Sequence, residues 1–266
     1  MKAPGFIPGG FGPPLWREAR FGLETAALLR DPILRGEGVP DGRGRPALLI
    51  PGFLAGDGSL AMMAGWLKRA GYRASRAGMR ANVDCSGATT GRLEELLEGL
   101  VADQGRRAVL IGQSRGGTIA RVLGQRRPDL VCGVVALGSP QLDPLAVHPL
   151  VRLQVEAVAG LGSLGAPGFF KRSCLADECC ASFWADLPEP MPSGVGLVSV
   201  YSKTDGIVDW RSCLDPHAEQ VEIDASHCGM AVSPAAWRAV AAALRGFEQA
   251  EKGRRPRPPQ RYARAA

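Results

Sequence analysis

The sequence predicts an α/β fold: a mostly parallel sheet of at least six strands, helices on both faces, and a helical cap over one edge. Two observations carry that expectation. Short apolar runs of four to seven residues alternate with segments of helical periodicity, the pattern of a parallel sheet covered on both sides. The long interval Pro140–Ser193 breaks the alternation; it is rich in Gly, Pro and Cys and has no clear strand pattern. With 266 residues the chain can enclose one substantial core.

Residues 1–44 read as an irregular lead-in followed by a covering helix and a linker. Leu15 to Arg30 has Ala19, Phe21, Ala26, Leu28 and Leu29 at helical spacing, and Gly36–Gly44 is rich in Gly, Pro and Asp. Residues 45–250 form the main domain. Its strand candidates are Ala47–Ile50, Tyr72–Arg76, Ala108–Ile111, Val131–Leu137, Gly196–Tyr201 and Gln220–Ile223. Leu93, Leu96, Leu97, Leu100 and Val101 make one apolar helical face, with Glu94, Glu95 and Glu98 opposite. Further helices are expected from Thr118 to Arg127, ending at Pro128, and from about Pro234 to Glu248. Met62, Met63, Trp66 and Leu67 read as core. The interval of about 140–194 is the cap, and 251–266 is a basic, Arg- and Pro-rich tail expected to be disordered.

Charge excludes more than it suggests. The chain has 32 Lys and Arg against 26 Asp and Glu, a net charge of +6. Lys252, Arg254, Arg255, Arg257, Arg261 and Arg264 account for the whole excess, so the body is neutral and no nucleic-acid partner is expected. The tail leaves room for a weak contact with an anionic surface. The longest charge-free stretches, Ala3–Trp16 and Ala157–Phe170, have 14 residues, too few for a spanning helix. No secretory pattern opens the chain, which reads as cytoplasmic. Seven cysteines are an odd number and favour free thiols, though Cys179 or Cys180 facing Cys213 would tie the cap to the loop after the fifth strand. No C-x-x-C pair exists and Cys213-x₃-His217 is isolated, so no metal site and no cofactor are expected.

The chemistry concentrates in Ala108-Val-Leu-Ile-Gly-Gln-Ser114-Arg-Gly-Gly-Thr118. A buried-strand run leads into G-x-S-x-G and a helical pattern leads out, the setting of a nucleophile elbow. Lifting a serine oxygen above the sheet requires a turn so tight that Cβ atoms at Gly112 and Gly116 would clash. A serine nucleophile needs a base, and there are three histidines. His148 lies in the cap and His217 in a polar loop; His227, four residues after the last strand, is at the right edge to serve Ser114. The base needs a carboxylate to orient it. Asp205 follows the fifth strand directly, and Asp209 sits four residues deeper, where anchoring the loop suits it better. An oxyanion hole would combine the amide of Arg115 with that of Phe53, in the loop after Leu48-Leu-Ile-Pro51-Gly52.

With these pieces in order Ser114…Asp205…His227, residues 45–248 resemble the α/β-hydrolase superfamily, and within it bacterial serine lipases and esterases of modest size. Thr204–Val208 looks like that family's acid loop and Ser226–Gly229 like its histidine loop. Pro51-Gly52 stands where those lipases carry His-Gly, Gln113 where His or Tyr is common, and Arg115 where Met or Gln is common. The resemblance implies hydrolysis of a carboxylic ester or acyl lipid through an acyl-enzyme. A thioesterase would share the same machinery, and a non-catalytic scaffold binding a ligand or partner would share the fold. Serine at the elbow disfavours the dehalogenase and epoxide-hydrolase branches, which use aspartate.

Overall fold

Parallel pairing joins six strands into one sheet in the order β2-β1-β3-β4-β5-β6. The computed structural model describes residues 14–141, 143–175 and 179–253. The strands are β1 (Pro46–Ile50), β2 (Arg73–Arg76), β3 (Ala108–Gln113), β4 (Val131–Leu137), β5 (Gly196–Tyr201) and β6 (Glu219–Glu222). The helices are α1 (Phe21–Arg30), α2 (Ala61–Arg69), α3 (Ser86–Gln104), α4 (Arg115–Arg126), α5 (Pro149–Ser163), α6 (Arg172–Leu175), α7 (Ala181–Asp186) and α8 (Pro234–Gly253). Residues 1–13 of the expected lead-in and residues 254–266 of the expected tail lie outside the described residues; residues 251–253, expected in the tail, belong to α8.

Strand pleating sorts the core into two layers. Ala47 and Leu49 of β1 face one side with Val109, Ile111 and Val135, against Met63, Trp66 and Leu67 of α2 and Trp237, Val240 and Leu244 of α8. Leu48 and Ile50 face the other with Leu110 and Val134, against Leu93 and Leu97 of α3 and Ile119, Val122 and Leu123 of α4. Burial on both faces explains why the central strands read as unbroken apolar runs. Met62 alone of the α2 quartet points outward.

The sheet order reverses at β1, with β2 on one side and β3 on the other. The loops leaving β1 and β3 therefore diverge at the carboxyl edge and open a crevice, where ligands bind in such sheets. The β1 loop carries Phe53, and the β3 turn carries Ser114. The interval between β4 and β5 holds α5, α6 and α7 and, among the described residues, no strand.

Two expectations change. Leu15 to Arg30 is not one helix: a 3₁₀ turn over Leu15–Arg20 precedes α1. Of its apolar residues only Leu28 is buried, and Leu29 is 59% exposed. The segment is fastened to the body by charged side chains instead. At the other end, α8 continues past the expected Glu248, because Glu248 and Glu251 are held by arginines of the sheet's opposite edge. Arg45 Nη2 lies 3.0 Å from Glu248 Oε2, and Arg107 pairs with Glu251. Among the described residues no helix is long and apolar enough to cross a membrane.

Candidate active site

Ser114 links β3 to α4 with φ 51° and ψ −127°, a conformation strained for a residue with a side chain. The turn exists because its neighbours are glycines. A Cβ on Gly116 would meet the carbonyl oxygens of Ile50 and Pro51, and one on Gly112 would meet the backbone of Gly116. The Ser114 amide is held by Leu137 O at 2.8 Å. Helix α4 starts at Arg115, three residues before the expected Thr118, directly out of the turn.

Asp205 and His227 form a buried pair, with Asp205 Oδ2 2.7 Å from His227 Nδ1. The other carboxylate oxygen, Oδ1, accepts the amides of Ile207 at 2.7 Å and Val208 at 2.8 Å, which fixes the ring's partner in position. Burial by itself lowers the His227 pKa. The Asp205 charge and hydrogen bond, with a contribution from Glu18, outweigh it and leave the value raised above 6.5. Asp209 caps the next 3₁₀ turn by accepting the Arg211 amide at 3.0 Å, the anchoring role expected of it. His148 caps α5 through Nδ1, and the His217 amide bonds to Asp215. Gln113 Nε2 donates to the His227 carbonyl at 3.0 Å, so the residue beside Ser114 grips the histidine loop. Among the described residues no hydrogen bond joins Ser114 directly to His227.

Phe53, Ser114, Arg115 and Thr118 line one cavity. Val151 and Val155 of α5, Leu175 of α6, and Phe183 and Trp184 of α7 supply its apolar roof, and Phe170 packs 6.1 Å from Phe53. A Cβ on Gly52 would stand 3.2 Å from Ser114 Cβ, so the β1 loop lies against the elbow. As the first residue of α4, Arg115 has an amide with no intrahelical acceptor. Its side chain has a second task that the motif does not disclose. Nη1 donates to Asn82 O and Oδ1 at 2.7 Å each, and Nη2 to Asp84 O at 2.6 Å and Ser86 Oγ at 3.0 Å. Desolvation pulls this guanidinium down to about 10, countered in part by Asp84 and by nearby cysteine sulfurs.

A comparison with known protein families finds no match, and neither does one with curated proteins. Solved structures do match. A metagenomic carboxyl esterase, MGS0156, aligns over 94% of this chain and 97% of its own with TM-score 0.59 at 16% identity. The mature Bacillus licheniformis lipase BlEst2 aligns over 78% and 94%, with TM-score 0.56 at 14% identity. A soluble variant of the monoglyceride lipase of Saccharomyces cerevisiae aligns over 80% and 89%, with TM-score 0.56 at 14% identity. The fold is that of the α/β-hydrolases.

Two features of this α/β-hydrolase fold were not read from the sequence. The first is a pair of glutamates ahead of the sheet. Glu18 Oε1 accepts the amides of Gly206 and His227, both at 2.9 Å, and Oε2 accepts that of Cys228 at 2.8 Å. Glu24 accepts the Ser226 amide at 2.7 Å and its hydroxyl at 2.6 Å. Together with Arg17, which donates to Lys203 O, and Arg20, which pairs with Asp224, these side chains fasten the amino-terminal segment. The second concerns cysteines. All seven are free, and neither Cys179 nor Cys180 faces Cys213. Cys213 is buried alone under β5, where its carbonyl accepts from Ser199 Oγ at 2.7 Å. Cys179 and Cys180 meet Cys85 and Cys174 instead.

Proposed function

We propose that the chain hydrolyses carboxylic esters with Ser114 as nucleophile, His227 as base and Asp205 as its orienting carboxylate. The observation that carries this reading is the buried Asp205–His227 pair, on the same sheet edge as a serine held in a strained elbow. Nε2 of His227 takes the hydroxyl proton as Ser114 Oγ attacks the ester carbonyl carbon. The amides of Phe53 and Arg115 receive the negative oxygen. Collapse of the tetrahedral intermediate expels the alcohol, which leaves with the proton from His227. Water then repeats the sequence on the acyl-enzyme and releases the acid. No step calls on a metal or cofactor.

The apolar cavity favours an acyl chain over a polar acid. Leu150, Leu153, Leu161 and Leu164 are exposed on and just beyond α5, whose Val151 and Val155 line the cavity, and they favour an acyl-lipid substrate. Purified Ser114→Ala should lose both ester turnover and labelling by a fluorophosphonate probe; undiminished hydrolysis by that variant overturns the assignment. Parallel assays with acyl-CoA and nitrophenyl esters separate esterase from thioesterase. A chain-length series with and without micelles separates lipase from esterase by whether the rate jumps at the interface.

A further inference from the structure

We propose that Cys85, Cys174, Cys179 and Cys180 bind one zinc ion as four thiolates, a structural site that staples α6 and α7 to the amino end of α3. The four sulfurs all lie within 4.8 Å of one another. Cys85 and Cys180 are 3.2 Å apart, Cys174 and Cys179 2.9 Å, and Cys179 and Cys180 3.7 Å. A tetrahedral zinc with bonds of about 2.3 Å to sulfur sets edges of about 3.8 Å, a geometry this cluster reaches by shifts of an ångström or less. None of these contacts is at the S–S bond length of about 2.0 Å, and the 3.7 Å approach of Cys179 to Cys180 joins the two shorter contacts into one cluster of free thiols.

The surroundings suit a cluster whose net charge would be −2. Gly87, in the first turn of the 19-residue helix α3, lies against the cluster, where a Cβ would stand 3.9 Å from both the Cys85 and Cys180 sulfurs, and the Lys171 amide donates to Cys174 Sγ at 3.4 Å. The Arg115 guanidinium donates to Asp84 O and Ser86 Oγ, the residues on either side of Cys85, and so places a compensating cation beside the cluster. Cys174 and Cys180 are buried while Cys179 is exposed, which leaves an entry path for the ion.

The local fold gives the staple a purpose. Helices α6 and α7 have four and six residues, too short to hold themselves, yet they supply Cys174, Leu175, Phe183 and Trp184 to the cavity wall. Four protein ligands complete a tetrahedron and leave no position for water or substrate, so the ion is structural. It does not depend on the ester-hydrolase reading.

The test is metal analysis of the full chain, purified without chelator, alongside uptake of cobalt(II) by the reduced apoprotein. One zinc per chain is expected, together with the absorption bands of a tetrahedral cobalt tetrathiolate. Cys85→Ser and Cys180→Ser should each weaken zinc binding by more than about 100-fold, beyond what outer-shell changes cost. Cys213→Ser and Cys228→Ser should leave it unchanged. Because the cobalt spectrum is read on the wild-type chain, misfolding of a variant cannot mimic the result. A reduced chain that takes up neither zinc nor cobalt, disulfides among these four cysteines in the purified protein, or iron in place of zinc would each overturn the proposal.

Discussion

Glu18 holds the amide of His227 at 2.9 Å with the same carboxylate oxygen that holds Gly206, next to Asp205, also at 2.9 Å. One side chain from the amino-terminal turn therefore spans both the His227 loop and the Asp205 loop. Its charge also contributes to the raised pKa of His227. Glu18→Gln keeps the shape but exchanges an accepting oxygen for an NH₂ group that cannot accept an amide. We expect kcat to fall about tenfold with little change in KM, as for the loss of one charge-assisted hydrogen bond. The acid limb of the pH profile should shift downward as well. A drop in stability with an unmoved limb would make Glu18 a mere fastening.

The raised pKa of His227 has consequences of opposite sign for activity and for stability. In the proposed mechanism His227 must be neutral to take a proton, so kcat/KM should rise with pH around a midpoint above 6.5. For stability, a folded-state pKa above the unfolded value contributes fully below about pH 6.5 and is lost as pH climbs through the folded value. The pair thus stabilises the fold least in the pH range where the proposed mechanism expects activity to be highest. Asp205→Asn should lower the midpoint and reduce kcat by about 10⁴-fold. Its cost in denaturant unfolding should be larger at about pH 5.5 than at about pH 8.5. A wild-type midpoint below 6.5 would contradict the electrostatic account.

What could be read in advance was local. The six strands, the elbow and the two loops at the sheet edge each announce themselves within a dozen residues, because pleating, turn sterics and short apolar runs are short-range effects. Glu18 and Glu24 were invisible for the complementary reason. They bond to residues about 200 positions away, and a glutamate on an amphipathic segment reads as solvated surface. The expected apolar face of Leu15–Arg30 failed on the same point, since the carboxylates of Glu24, buried, and Glu18, half-buried, help to fasten it. Cys213 misled because sequence spacing says nothing about which sulfurs converge: Cys85 comes from the start of α3, on the far side of the elbow in sequence.

Arg115 couples the elbow to the cavity. Its guanidinium binds Asn82 and Asp84 in the loop leading into α3 and Ser86, the first residue of α3, and lies 5.3 Å from the Phe170 ring centroid. Arg115→Met leaves the main-chain amide in place while removing every one of these hydrogen bonds. We expect a loss of about 2–4 kcal/mol in denaturant unfolding, because the acceptors it leaves are partly buried. KM for long-chain esters should rise about tenfold, with a smaller change in kcat, since the wall loosens while Ser114 stays in place. An equal fall in kcat for all chain lengths would place the effect at the elbow instead.

Beneath the elbow, Arg121 of α4 and Asp215 form an ion pair, Nε to Oδ2 at 2.6 Å, with both side chains 2% exposed. The same guanidinium also donates to the carbonyls of Leu187 and, at 3.0 Å, Glu189, so it ties α4 to the end of the helical segment over the cavity. Removing one partner strands the other charge in the interior. Arg121→Ala should therefore cost about 3–5 kcal/mol in urea unfolding. The double variant Arg121→Met, Asp215→Leu removes both charges and should recover part of that loss. Recovery should stop short, because the carbonyls of Leu187 and Glu189 lose their donor, a penalty of about 1–3 kcal/mol for each that stays dry. If the double variant proved as unstable as Arg121→Ala, shape at this site rather than stranded charge would govern the cost.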